Sequence, residues 1–464
     1  MWFLAILILF NAWANNADFI NTYRLNIFGL PANPIDGLVV LGFLIALIKP
    51  QTASFVKTER MHPAVMWMLG LFVLATLGGL IGASYNGATD RQIITGLRNF
   101  LAAPAALYLA YFLTNNVHSS RRYLYIVLAA GVVVSFMIVV FFKEKTETRT
   151  FGSIYQVRAI AYISVYAGIA VALLFYSLAA GLRLLPMVIA WGVMGACIVG
   201  QFATLSRSDW LACWTALCTA FFLLPKSQRI KSLGRAALAV PVLVVSLIIG
   251  MHFGTKVSGK DLFERFKERT LSMLPGDRPG VKGKAWDTRL PGIKQELRFF
   301  ASSPLIGGGF AIQHTPQAEN AMNPGLRHNS WSAQLAETGI LGFGAFAIMA
   351  GSMIVVGRRM VRDRTDQTTV LIGALGVVTA MFFIVHGLAT MSFNQIRGGL
   401  PMFITAGVVL RTRQVQLQLI RQAQEEQAYL EHAGAYEHSM HPDGDGSGIG
   451  HQEPALGQNW YQTN

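Results

Sequence analysis

Three cysteines in 464 residues are too few for a disulfide framework, and Cys197, Cys213 and Cys218 all fall inside apolar runs. No thiol chemistry is indicated. Charge is scarce as well: Asp, Glu, Lys and Arg together make up 13% of the chain, against 53% hydrophobic residues. Paired carboxylates of the kind a glycosidase uses are not evident. Gly307-Gly-Gly309 lacks the lysine and spacing of a nucleotide loop. His432, His438, His441 and His451 lack the spacing of a metal site. Asp443-Gly-Asp445-Gly-Ser447-Gly448 imitates a calcium loop, but Pro454 stands where the bidentate glutamate belongs.

What the chain does have is hydrophobic runs near membrane-spanning length, recurring from end to end. They predict about twelve spanning helices, because in lipid the backbone must satisfy itself within each segment unless a barrel closes. The runs lie near 1–17, 34–48, 64–84, 93–113, 123–142, 159–180, 184–203, 209–224, 236–254, 331–356, 370–390 and 398–411. Residues 2–10 followed by Ala12-Trp-Ala14 resemble a signal peptide with its cleavage site. No basic residue precedes them, so they read as an uncleaved first span.

Basic residues in short loops mark the cytoplasmic side. Lys49, Lys57 and Arg60, Arg121 and Arg122, Arg183, Lys226 to Arg235, and Arg358 to Arg364 all follow even-numbered spans. Both termini are therefore expected in the cytoplasm. Much of the +14 net charge is this topological bias and implies no nucleic acid. The large segment 255–330 then falls on the opposite side, with twelve Lys and Arg against seven acidic residues. Such a surface suits an anionic partner, phosphate above all. Beyond about residue 412 the chain turns polar, with a helix expected over 414–427 and disorder after Ala433.

Three stretches of this outer face carry candidate chemistry. In Leu326-Arg-His-Asn-Ser-Trp331, Asn329 or Ser330 can cap the helix that follows, leaving His328 at its positive end. There the dipole disfavours a protonated ring, so His328 is expected neutral and able to accept a proton, and the exposed amides attract phosphate oxygens. In Asp287-Thr-Arg289-Leu-Pro-Gly-Ile293, a short helix lying on the membrane surface is expected, with Ile293, Leu297 and Phe300 on one face, ending at Ser302-Ser-Pro304. In Thr204-Leu-Ser206-Arg207-Ser-Asp209, two charges sit near a membrane junction, where they need a function or a partner; a local Arg207–Asp209 pair is the simplest. For His386 and Arg98, in or near spans, a buried hydrogen bond is the expectation.

These elements, in this order, resemble the O-antigen ligase and O-antigen polymerase superfamily over roughly residues 145–390. The specific parts are Ser206-Arg207-Ser208, Arg289-Leu290 followed by Ser303-Pro-Leu-Ile-Gly-Gly-Gly309, and His328-Asn-Ser330 with Glu337-Thr-Gly-Ile-Leu-Gly342. Arg149-Thr-Phe-Gly152 also looks like the family's loop before the sixth span. Gln156-Val-Arg158 departs from the Asn-Pro-Asn-like turn of relatives, and Ile293 stands where they carry an aromatic.

The resemblance implies an all-α polytopic protein of the bacterial inner membrane, with about twelve transmembrane helices and one large periplasmic loop containing short helices. Its parts would be helices over 1–254, the periplasmic loop 255–330, helices over 331–411, and a cytoplasmic tail 412–464. It also implies a glycosyltransferase without cofactor or metal, which moves a glycan from undecaprenyl pyrophosphate to an acceptor hydroxyl. Arg207 and Arg289 would grip the pyrophosphate and His328 would act as base. Arg327 and Asn329, flanking it, are expected substrate contacts. Arg149 and Arg158, with Lys143 and Lys145, form the one short outer loop that opposes the charge bias, which suits donor phosphate or lipid headgroups. A ligase acting on a lipid A core sugar and a polymerase extending a growing lipid-linked glycan share this chemistry. A transporter would instead show paired broken helices in two repeated halves.

Overall fold

The computed structural model describes residues 1–14, 25–27, 30–32, 34–48, 61–140, 150–151, 154–155, 164–204, 206–258, 263–264, 267, 290–310, 329–390 and 396–440. Among these, α1 (Trp2–Ala14), α2 (Pro34–Ile48), α3 (Pro63–Tyr85), α4 (Asp90–Leu113), α5 (Val117–Val140), α6 (Val165–Ala179) and α7 (Met187–Ala203) come first. Then follow α8 (Arg207–Leu223), α9 (Lys226–Ser258), α10 (Leu290–Ser302), α11 (Ser330–Asp363), α12 (Gln367–Ala389) and α13 (Ile396–Met440). Each of the apolar runs read from the sequence overlaps one of these helices, and α10 is the short one expected after Arg289.

The chain forms two compact units, Met1–Gln416 and Leu417–Asn464. In the second, the helix runs to Met440, past the point at Ala433 where order was expected to end. Ala435 and Glu437 favour helix, and the first residue to forbid it is Pro442, which also disfavours helix at the residue before it. Two small antiparallel hairpins interrupt the all-α pattern. One pairs Leu25–Ile27 with Leu30–Ala32, the other Thr150–Phe151 with Ile154–Tyr155. A glycine lies in each two-residue connection, the sequence habit of tight hairpins.

Among the described residues, five helices are long and apolar enough to cross a membrane: Pro63–Tyr85, Asp90–Leu113, Val117–Val139, Ser330–Asp363 and Gln367–Leu388. Their outward faces agree. On α3, Met66, Trp67, Val73, Leu74, Leu77 and Ile81 point outward and Val65, Met68, Phe72 and Ala75 inward. An apolar exterior of this extent is what lipid, not water, tolerates. The chain is accordingly a multi-pass membrane protein.

Inside, small residues and aromatics set the packing. Gly357 of α11 faces Gly373 of α12 so closely that a Cβ on either would lie 2.5 or 2.7 Å from the other's carbonyl oxygen. Association in lipid depends on such close backbone approach, because burying apolar surface gains little there. Phe72, Phe100, Phe310 and Phe346 form one aromatic cluster, with ring centroids 5.3–6.3 Å apart. It ties α3, α4 and α11 to the loop that follows α10. This frame fixes the helix ends that carry the candidate residues.

Candidate functional site

Arg207 is the first residue of α8 and is half-buried. Two local turns shape the approach to it: Thr204 Oγ1 donates to the Gln201 carbonyl (2.8 Å) and accepts from Ser206 N (3.2 Å). Ser206 and Ser208, on either side of the arginine, join through their hydroxyls at 2.9 Å. Gln201 Nε2 and Trp210 Nε1 bond across the α7–α8 corner, to Asp209 O (2.8 Å) and Gln201 O (3.1 Å).

Asp209, in the first turn of α8, is wholly buried and its Oδ1 meets Nε2 of His386 in α12, 177 residues away. Asp209 thus has a long-range partner beside the local Arg207 that the sequence offered. His386 has the buried hydrogen bond expected of it. Its Nδ1 lies 3.0 Å from Thr390 Oγ1 at the end of α12. The Thr390 carbonyl accepts from Ser330 Oγ at 2.6 Å, and Trp331 Nε1 donates to Ile384 O at 3.1 Å. The end of α12 therefore holds the beginning of α8 on one side and the beginning of α11 on the other.

Asn329 caps α11 as the sequence suggested, its Oδ1 accepting from Trp331 N (2.9 Å) and Ser332 N (3.1 Å). One turn in, Ser332 Oγ donates to Glu296 Oε2, and Glu296 is buried on α10. Gly292 and Glu296 turn inward, whereas Leu297 is 43% exposed and Ile293 and Phe300 are only half-buried. The hydroxyl of Ser332 gives the carboxylate a partner inside, so the polar residue, not the apolar stripe, docks.

The segment Ser303–Phe310 is built into a break in α11. Gly339 has φ +60° and ψ −156°, which interrupts the helix. Into that gap the loop bonds from both sides: Gly308 N to Ala336 O (2.7 Å), Gly309 N to Glu337 O (3.0 Å) and Ile340 N to Pro304 O (2.9 Å). Its other edge lies on α3, where Phe310 N donates to Gly79 O (3.1 Å) and Asn86 Nδ2 to Gly308 O (2.8 Å). A Cβ at Gly82 would stand 2.8 Å from Gly309 N. The glycine run is thereby explained as a close backbone fit between two helices.

His328, Arg289, Arg327, Arg149 and Arg158 lie outside the described residues. By chain order, however, Arg289 directly precedes α10, and His328 directly precedes the Asn329 cap of α11. Arg207, Arg289 and His328 each belong to the start of a helix. The starts of α8 and α11 are bonded to the same end of α12, and the first turn of α11 is bonded to α10. Sequence reading missed three of these ties: Asp209–His386, Glu296–Ser332 and the Gly78, Gly79, Gly82 face of α3. Only the last left a local signal, small residues at helical spacing.

A comparison with curated proteins finds no match for the chain. One family model does match, over a stretch running from α7 into α11 that takes in Arg207, Arg289, the glycine loop and His328. That model is described as O-antigen ligase, and its match covers residues 192–347.

Proposed function

We propose that the chain is an O-antigen ligase-like glycosyltransferase of the bacterial inner membrane. It takes a glycan from undecaprenyl pyrophosphate and passes it to an acceptor hydroxyl, a lipid A core sugar, at the periplasmic face. The observation that carries this reading is that the starts of α8 and α11 are bonded to one end of α12 and the first turn of α11 to the middle of α10, with the starts of α8, α10 and α11 all inside the family match. The wider architecture belongs to the same proposal: about twelve crossings, 1–254 and 331–411 in the membrane, 255–330 outside and 412–464 inside.

In the reaction, His328 takes the acceptor's hydroxyl proton as the oxygen attacks the anomeric carbon. The bond from that carbon to the pyrophosphate oxygen breaks, and its electron pair leaves with the lipid pyrophosphate. A single displacement inverts the anomeric centre. Arg207 and Arg289 bind the pyrophosphate through planar guanidinium forks and stabilise the charge that grows on it, so no metal is required. Arg149, Arg158, Arg327 and Asn329 contact donor or acceptor beside them. A polymerase uses the same step with a second lipid-linked glycan as acceptor.

The test is transfer by the purified protein from lipid-linked glycan to candidate acceptors. His328→Ala, Arg207→Ala and Arg289→Ala are expected to lose at least about a hundredfold in kcat while remaining folded, and excess EDTA to leave the parent active. Parental turnover by these variants, or strict dependence on a divalent ion, sinks the mechanism. Product on lipid A core marks a ligase, whereas lengthened lipid-linked glycan marks a polymerase.

A further inference from the structure

Asp209 and His386 are both 0% exposed and face one another between α8 and α12. Ionisable side chains inside a membrane protein are rare, and an apolar pair of similar volume generally packs as well or better. This pair is not fully satisfied either: Asp209 Oδ2 is buried with no hydrogen-bond partner among the described residues. Stability alone does not account for it. Its location does, since Asp209 is two residues from Arg207 while His386 lies outside the matched segment 192–347.

We propose that Asp209 and His386, with Thr390, are positioning residues for glycan transfer that lock the Arg207 end of α8 to the helix start behind His328. The inference rests on the roles given above to Arg207 and His328. The lock is a continuous line of bonds. Asp209 Oδ1 meets His386 Nε2, His386 Nδ1 lies 3.0 Å from Thr390 Oγ1, and Thr390 O accepts from Ser330 at 2.6 Å.

Thr390 makes the lock tolerant of the ring's protonation. Its hydroxyl is 2.8 Å from the His386 carbonyl and 3.0 Å from Nδ1, and has one proton to give. Turned to the carbonyl, it accepts from a protonated Nδ1; turned to an unprotonated Nδ1, it donates. In both states Nε2–H is left to donate to Asp209, so the α8–α12 spacing holds. Carboxamides at either position keep part of the bonding and lose the charge and the ring, which lets α8 shift against α12. A shift near 1 Å at a reacting centre costs about a hundredfold in rate.

The experiment measures transfer kinetics and thermal unfolding in detergent for Asp209→Asn, His386→Gln and the double variant Asp209→Leu/His386→Leu, beside Arg207→Ala. The single variants are expected to lose about tenfold or more in kcat with donor KM within about threefold, because Arg207 remains present to bind pyrophosphate. The apolar double variant is expected to unfold at or above the parental temperature and still to be slow. A double variant that turns over at the parental rate, while Arg207→Ala is inactive, overturns the positioning role and leaves the site reading intact. Parental turnover by Arg207→Ala overturns the site reading itself.

Discussion

At Asn329 a helix cap and the proposed substrate contact fall on one side chain. Its Oδ1 is committed to two backbone amides of α11, so only Nδ2 is left for a sugar hydroxyl or a phosphate. Asn329→Ala removes the cap and is expected to cost about 1 kcal/mol, read as a lower melting temperature. Asn329→Asp keeps an oxygen in the cap and is expected to unfold like the parent. If Nδ2 touches substrate, the aspartate variant nevertheless transfers more slowly; unchanged kinetics remove Asn329 from the site. This cap was legible because a helix start is a local pattern. The partner of Asp209 was not, because no periodicity links residues in different helices.

His62 supplies a pH dependence. Its Nδ1 accepts from Ala64 N at 3.2 Å ahead of α3, its backbone N donates to Tyr111 Oη at 3.0 Å, and burial holds its pKa below the usual 6.5. The folded protein thus binds this proton less readily than the unfolded chain, and stability contributed by the neutral ring is present above pH 6.5. It is lost as pH falls from there through the lowered folded value. Melting temperature is expected to drop between pH 7.5 and about 5.5, and less steeply in His62→Asn, which keeps a capping oxygen. Parallel curves for the two proteins would remove His62 as the cause.

Among the elements, α11 depends most on one residue. Gly339 has backbone angles that L side chains avoid, and a Cβ there would sit 2.5 Å from the Leu305 carbonyl. Gly339→Ala must therefore straighten the helix or expel the 303–310 loop, and is expected to cost more than about 2 kcal/mol. Gly344→Ala, in the same helix with only Leu71 near and at 3.8 Å, is the control and is expected to be neutral. Comparable losses in both would mean that α11 is fragile throughout. The glycine run was readable as a turn from sequence, but its docking in a helix break was not, since Gly339 and Gly342 mark a weak point in the helix without telling a break from a close packing contact. α10 was legible as a helix with Ile293, Leu297 and Phe300 along one side, but the docking of its buried Glu296 on Ser332 was not, because no local pattern marks a contact between two helices.

For the whole molecule, hydropathy located the helices well because lipid forces every apolar run of that length to satisfy its own backbone. It specified sidedness only through the basic loops, and sidedness decides whether the proposed site can meet a periplasmic substrate. Residues on either side of α9 test it directly. Ser227, exposed in the first turn of α9, is expected inside, and Ser272 of the 255–330 segment outside. The native thiols interfere little: Cys197 and Cys213 are buried, and Cys218, although exposed, lies on α8 among the exposed apolar residues Leu211, Trp214 and Phe222. In intact cells a membrane-impermeant maleimide is expected to label Ser272→Cys, and to label Ser227→Cys only after permeabilisation. The reverse pattern would put Arg289, His328 and the helix starts behind Arg207 in the cytoplasm. A donor presented at the outer leaflet would then be out of reach, whatever the bonding among α8, α11 and α12.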